Sequence, residues 1–297
     1  MSKQAKAKHI KPNEASLGRW VATGVVGYGL GTVLSLPWSL LLNYFPEFLL
    51  NSPFGFMAEI VKLMVTFLFQ YIGIVIAIRW IGKTSIRDFI LGVGGKVNKK
   101  DCLTILGLYV IGYLIVTLPG ISNIQLRGIG AGQFAMLFVF SLLFVWMQTS
   151  WEEFLFRGLF LRYACKNDIR MTAKAVVCGI IASLLFMILH IVNPEVTSQE
   201  RGMQTVFAVL VYLIPGLAFY FADIYYKSLV PGLLLHWLNN FTVFSILSEN
   251  VTAGGSPTPL VDMKHYTGLD NFISAIILYV PLYVYLAWKL WKKRKAA

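Results

Sequence analysis

Two adjacent carboxylates and an arginine, Glu152, Glu153 and Arg157, follow a stretch from Phe134 to Met147 that carries no charge. An ionised carboxylate in hydrocarbon costs on the order of a few kcal/mol, so intramembrane acids are kept for use and are given partners. Residues four apart on a helix share a face, which lets Glu153 pair with Arg157. Glu152 is turned by about 100° from its neighbour. It is then expected to face a water-holding cleft completed by His190, His236 and Asn240. Of the four histidines, His9 and His265 fall in polar stretches and read as solvated, whereas His190 and His236 lie inside apolar runs. Phe186 and His190 share a face by their spacing, as do His236 and Asn240.

Glutamate and histidine around a held water make a peptide-hydrolysis constellation. The carboxylate takes a proton from the water, and a neighbouring group stabilises the oxyanion. A Glu152, His190, His236 set could instead bind zinc and activate water through the metal. The chain has no H-E-x-x-H sequence, so spacing leaves both routes open. Depth also bears on the grouping. The charged turn near Lys166–Arg170 lies almost midway between Glu152 and His190. The two therefore stand at similar heights, roughly 25–30 Å along their helices from that turn. His236 is only about 10–15 Å from the turn at Lys227. The levels meet if the hairpin carrying Arg162 to Lys174 protrudes into the cytosol.

The elements that must carry these groups are membrane spans. The 297 residues are 57% hydrophobic and 13% charged, with mean hydropathy +0.67, whereas a soluble domain is nearer a quarter charged. Eight apolar segments are long enough to cross, at about 20 residues each: 18–42, 57–81, 102–121, 133–160, 173–192, 203–222, 229–248 and 272–290. The expected fold is all-α, a single polytopic domain over 1–297 with eight transmembrane helices. Gly24, Gly27, Gly29 and Gly31 in the first segment suit close helix packing. The first apolar run is too long for a signal-peptide core and reads as an anchor.

Net charge is +12, but the lysines and arginines cluster at span ends, which makes them topology signals and argues against a nucleic-acid partner. With the amino terminus inside, the outer loops hold only Arg127, Arg201 and Lys264, so both termini are expected in the cytoplasm. Cys102, Cys165 and Cys178 are widely spaced and suggest neither a disulfide framework nor a zinc–thiolate site. Residues 249–271 read as an irregular outer loop, in which Asn250 begins a chance-level glycosylation triplet. Glu59 and Lys62 read as a local ion pair.

Three motifs in order, Glu152–Glu153–x–x–x–Arg157, Phe186–x–x–x–His190 and His236–x–x–x–Asn240, resemble the CPBP family of intramembrane proteases. That family includes CAAX-prenyl endopeptidases and bacterial bacteriocin-processing and self-immunity proteins. The resemblance covers about residues 130–248. It implies that Glu152 activates water with His190, that His236 and Asn240 stabilise the oxyanion, and that Glu153 and Arg157 hold the site. Phe186 would wall the cleft toward the substrate, or simply pack. The family is often called a metalloprotease, yet a glutamate mechanism without obligatory metal is also proposed for it, so zinc stays open.

The expectation is an intramembrane endopeptidase in a bacterial plasma membrane, with its site toward the cytoplasm. It would cleave a membrane-associated peptide or protein: a prenylated CAAX terminus, a leader, a pheromone or a bacteriocin precursor. A non-catalytic immunity or scaffold protein binding a peptide or sensor in the same cleft is the alternative. A transporter with a Glu/His proton relay is a third. Substrate and oligomeric state are left open.

Overall fold

Side-chain caps start four of the helices, each satisfying a backbone N–H that the first turn leaves without a partner. Ser16 accepts from Arg19 N to open α1 (Leu17–Tyr44). Ser85 caps α3 (Ile86–Leu91), Asn98 caps α4 (Lys99–Thr117) and Thr172 caps α7 (Ala173–Leu189). The remaining principal helices are α2 (Ala58–Trp80), α5 (Ala131–Glu152), α6 (Leu159–Cys165), α8 (Met203–Leu210), α9 (Leu213–Tyr226), α10 (Val230–Ser245) and α11 (Gly268–Lys295). These come from a computed structural model, which describes residues 16–92, 95–118, 125–126, 130–165, 169, 171–197, 199, 202–245, 247–248, 260–261 and 267–295. Three two-residue strands, Gln125–Leu126, Leu247–Ser248 and Leu260–Val261, form a small sheet in an otherwise helical chain. His9, His265, the Lys166–Arg170 turn, the Asn250 triplet and the Glu59 side chain lie outside the described residues.

The chain is an integral multi-pass membrane protein. Six described stretches are long and apolar enough to cross: α1, Ile60–Trp80 in α2, α4, the continuous Ala131–Cys165, Met203–Tyr226 and Gly268–Lys292. The expected eight thus divide into these six and two shorter helices, α7 with 17 residues and α10 with 16. Those two reach only about 24–26 Å, against a hydrocarbon core of about 30 Å. Apolar residues such as Ile191 and Val192 continue past the end of α7, which is why hydropathy alone lengthened it. The two short helices carry His190 and His236. Met203–Tyr226 itself breaks at Val211–Tyr212. Pro215 lacks an N–H, and its ring crowds the carbonyl four residues back, at Val211.

Close packing joins α1 to α2. A Cβ added at Gly73 would strike the backbone of Gly31 and Gly27, and one at Gly27 would come within 2.6 Å of Ile74. Gly24 lies against Leu155 and Leu159, while Gly29 faces open space, so the glycine stripe packs at three of its four positions. Apolar side chains such as Val25, Val139, Leu143, Ile181 and Val284 stay exposed and form the lipid-facing surface.

One short helix sets the register of the elements around it. Phe89 of α3 is fully buried, 5.4 Å from Phe154 and 6.0 Å from Trp20 between ring centroids. Arg162 Nε donates to Phe89 O at 2.9 Å, and Leu229 N donates to the adjacent Ile90 O at 2.8 Å. Arg162 and Leu229 therefore stand at one level. The turn between α9 and α10 is tied off by Lys227 in a left-handed conformation and by Asp223, whose carboxylate accepts from Gly232 N at 2.7 Å. No Cβ fits at Gly232, because Asp223 Oδ2 would lie 2.7 Å from it.

Candidate active site

The acidic pair sits where the backbone changes pitch. The helix that begins as α5 widens into a π-helical turn over Glu153–Gly158 before resuming as α6. Such turns are uncommon and concentrate at functional sites. Glu152, just before the turn, and Glu153, Phe154 and Phe156 within it are buried, Leu155 is half-buried, and Arg157 is fully enclosed. Gly158 closes the turn because Phe89 approaches to 2.5 Å of where a Cβ would stand.

Glu153 and Arg157 form the expected pair, Nη1 to Oε1 at 2.9 Å, with neither side chain exposed. The guanidinium lies over Phe186, its Cζ 4.1 Å from the ring centroid, and 5.4 Å from that of Phe219. An arginine held between aromatic faces keeps favourable electrostatics where water is excluded.

The imidazole of His236 bridges both acids. Its Nδ1 lies 2.6 Å from Glu153 Oε1, and its Nε2 lies 3.3 Å from Glu152 Oε2. The sequence expectation turned Glu152 alone toward His236. Because an imidazole carries nitrogens on two edges, one ring fills the angle between neighbouring carboxylates and meets both. Glu152 Oε1 accepts from Gln148 Nε2 at 3.2 Å, whereas Oε2 has no hydrogen-bonded donor. Asn240 Nδ2 lies 3.2 Å from His236 Nε2. Phe219 stacks on the same ring at 5.3 Å, fixing its plane.

His190 ends α7, and its Nδ1 donates to Phe186 O at 2.7 Å. That bond leaves Nε2 unprotonated in the neutral ring. Its ring lies between Phe186 at 4.3 Å and Tyr212 at 4.2 Å. Phe186 is the hub of the group: it touches His190, stands 5.7 Å edge-on from His236 and carries Arg157 on its face. Among the described residues no hydrogen bond or ion pair links His190 directly to Glu152 or His236.

The depth expectation for Glu152 and His190 ran through Lys166 and Arg170, which lie outside the described residues, but a level for Glu153 and His236 can be given. From the level shared by Arg162 and Leu229, Glu153 is nine residues along one helix and His236 seven along the other. Those steps correspond to about 14 Å and 10 Å.

The candidate metal donors do not gather at one point. Among the described residues no group of three or more His, Cys, Asp or Glu side chains is placed to hold an ion. Both nitrogens of His236 already face side chains. The three cysteines are free thiols and lie outside the cluster.

Sequence reasoning passed over Gln148, although it lies four residues before Glu152, the same spacing that identified Glu153 and Arg157. It also passed over Asn239, Tyr109 and Tyr279, which carry no spacing signal because they come from three helices. A lateral apolar groove of ≈ 700 Å³ runs beside the site, between α1, residues 151–163 and α7. Trp151 and Phe156 form its wall toward the acids, and Trp20, Tyr28 and Leu185 line its other sides.

Compared with protein families, residues 102–242 match the model described as type II CAAX prenyl endopeptidase Rce1-like. This segment is similar to that family. All three motifs fall within it, and it begins one helix earlier than the motifs alone suggested. The matched segment runs from within α4 to within α10, so α1, α2, α3 and α11 lie outside it. A Bacillus subtilis (strain 168) protein named YyaK, described as uncharacterized, is 27% identical over 203 residues. The similarity covers 65% of this chain and 63% of YyaK, so the chain matches less than two thirds of that relative's length. No solved structure gives a significant match.

Proposed function

We propose that the chain is an intramembrane endopeptidase acting on a membrane-associated peptide, with a lipid-modified, CAAX-type carboxyl terminus as the first substrate class to test. The observation that carries this reading is the bracketing of one buried imidazole by Glu152 and Glu153, with Glu152 Oε2 left without a donor. A buried carboxylate oxygen with no hydrogen-bonded donor is a general base in waiting.

In the proposed reaction a water held between Glu152 Oε2 and the Nε2 of His190 loses its proton to Glu152 as its oxygen bonds to the scissile carbonyl carbon. The protonated Glu152 then lies 3.3 Å from Nε2 of His236, which stays hydrogen-bonded to Asn240. The second N–H of Asn240 stabilises the oxyanion. As the C–N bond breaks, the proton passes from Glu152 to the leaving amine. Glu153 and Arg157 do not touch substrate: their pair holds His236 from beneath. In this scheme neutral His236 acts as an acceptor, so the oxyanion role expected of it falls on Asn240.

The Rce1-like match supports a CAAX-type substrate over a leader, pheromone or bacteriocin precursor. The lateral groove has the size of ordinary ligand pockets, about 300–1,000 Å³, and opens on the lipid side. A prenyl chain lying there would bring the adjoining peptide past Trp151 to the acids. Purified protein in lipid nanodiscs should cleave a fluorogenic prenylated peptide. Glu152→Ala should lose about 10²–10⁴-fold in kcat while keeping its melting temperature. Retained turnover in that variant would remove Glu152 as the base.

A further inference from the structure

We propose that Asn239, held by the hydroxyls of Tyr109 and Tyr279, is a positioning residue that fixes which nitrogen of His236 carries the proton. The inference deepens the reading of His236 as part of the site. Its test observes the imidazole directly and does not depend on cleavage.

The argument is a sequence of donors and acceptors. Tyr109 from α4 and Tyr279 from α11 are both buried, and each hydroxyl lies 3.3 Å from Asn239 Oδ1. Neither has another acceptor among the described residues, so each O–H must donate to Asn239, because a buried hydroxyl without an acceptor is costly. Two donors on one side of an amide oblige it to present Oδ1 there and Nδ2 on the other side. Nδ2 of Asn239 then donates to Asn240 Oδ1 at 3.1 Å. With its oxygen used, Asn240 presents its own NH₂ to His236 Nε2 at 3.2 Å. An N–H can only meet an unprotonated Nε2, which puts the ring proton on Nδ1.

The opposite edge of the ring agrees. Glu153, paired with Arg157, is an acceptor only and lies 2.6 Å from Nδ1. Two independent constraints, one through the carboxylate and one through the two amides, thus select the same tautomer. The consequence is that Nε2 meets Asn240 as an acceptor, with Glu152 Oε2 3.3 Å away. Without the tyrosines, both amides could turn over together, and Asn240 would then present oxygen and call for a proton on Nε2.

Protein labelled with ¹⁵N in histidine, in detergent at mildly alkaline pH, reports the tautomer through the two ring-nitrogen shifts. The His236 signals are assigned by their loss in His236→Gln. The wild type should show a protonated Nδ1 and a bare Nε2. Asn239→Asp offers only acceptors, so Asn240 must turn its NH₂ to the new carboxylate and its oxygen to His236. Glu153 still holds the proton on Nδ1, so a proton signature should then appear on Nε2 as well. Tyr109→Phe with Tyr279→Phe removes both donors and should give a mixture of the two forms, whereas Tyr109→Phe alone keeps one donor and should retain the wild-type signal.

Where cleavage is measurable, Asn239→Asp should lower kcat at least about tenfold with KM little changed, as mispositioned imidazoles do elsewhere. A wild-type His236 protonated on Nε2 would overturn the proposal. So would a bare Nε2 that persists in both Asn239→Asp and the double tyrosine variant. Absence of cleavage in every form would count against the peptidase reading and leave the tautomer result standing.

Discussion

Glu152 and Glu153 are chemically identical neighbours, and their surroundings give them opposite work. Glu153 has Arg157 and His236 both on its Oε1, while its Oε2 has no hydrogen-bonded donor. Glu152 has one oxygen on Gln148 and one without a donor. What separates them is the guanidinium: the ion pair to Arg157 ties Glu153 to stability, and Glu152, with no cationic side chain on it, is the acid proposed for chemistry. Arg157→Met removes one partner and leaves Glu153 buried beside a neutral imidazole, which should cost about 3–5 kcal/mol. Adding Glu153→Gln should recover much of that loss, because the uncompensated charge goes with it. Unfolding of both variants in mixed micelles measures the difference, and a double variant no more stable than the single one would contradict the assignment. The metal route can be separated at the same scale. With His236 engaged on both nitrogens, turnover should survive a chelator, and metal content measured alongside should not track activity. Loss of turnover on chelation with recovery on adding zinc would favour the metal route.

At the scale of elements, the i, i+4 rule made the Glu153–Arg157 pair legible from sequence, and the three motif spacings placed Phe186, His190, His236 and Asn240 on the right faces. The π-helical turn was not legible, because a change of backbone pitch over Glu153–Gly158 leaves no periodicity in so uniformly apolar a run. Helix ends were also misread in α7 and α10, where apolar residues run on beyond the last turn. The break at Val211 was legible in principle from Pro215. The glycine stripe was legible as a stripe, but the chain itself does not say which glycine faces the neighbour. That distinction can be tested. Gly73→Leu would drive a side chain into the backbone of Gly27 and Gly31 and should cost about 1–3 kcal/mol or more from overpacking. Gly29→Leu projects into open space and should be near neutral. Equal losses in an unfolding assay would mean that α1 presents a different face to α2.

For the molecule as a whole, the question is which side the substrate reaches. Arg162 and Leu229 are fixed to one level by the carbonyls of α3, and a polar cavity of ≈ 210 Å³ near that end gathers Asp101, Lys227 and Lys289 from three helices. Arg79, Lys83, Arg87 and Lys174 belong to helix ends that join this side in the chain's up-and-down course. By the positive-inside rule that basic end is expected in the cytosol, with Glu153 about 14 Å and His236 about 10 Å above it. The site also draws on the last helix, since Tyr279 of α11 supports Asn239 although it lies outside the Rce1-like segment. The protein is therefore expected to fail as an isolated 102–242 piece. In inverted and right-side-out vesicles, with the three native cysteines replaced, Lys227→Cys should react with a membrane-impermeant maleimide only from the cytosolic face. Asn51→Cys, in the turn between α1 and α2, should react only from the opposite face. If the labelling is reversed, the shallow end of the site faces outward, and a cytosolic CAAX terminus cannot be the substrate even though the arrangement of acids and imidazoles is unchanged.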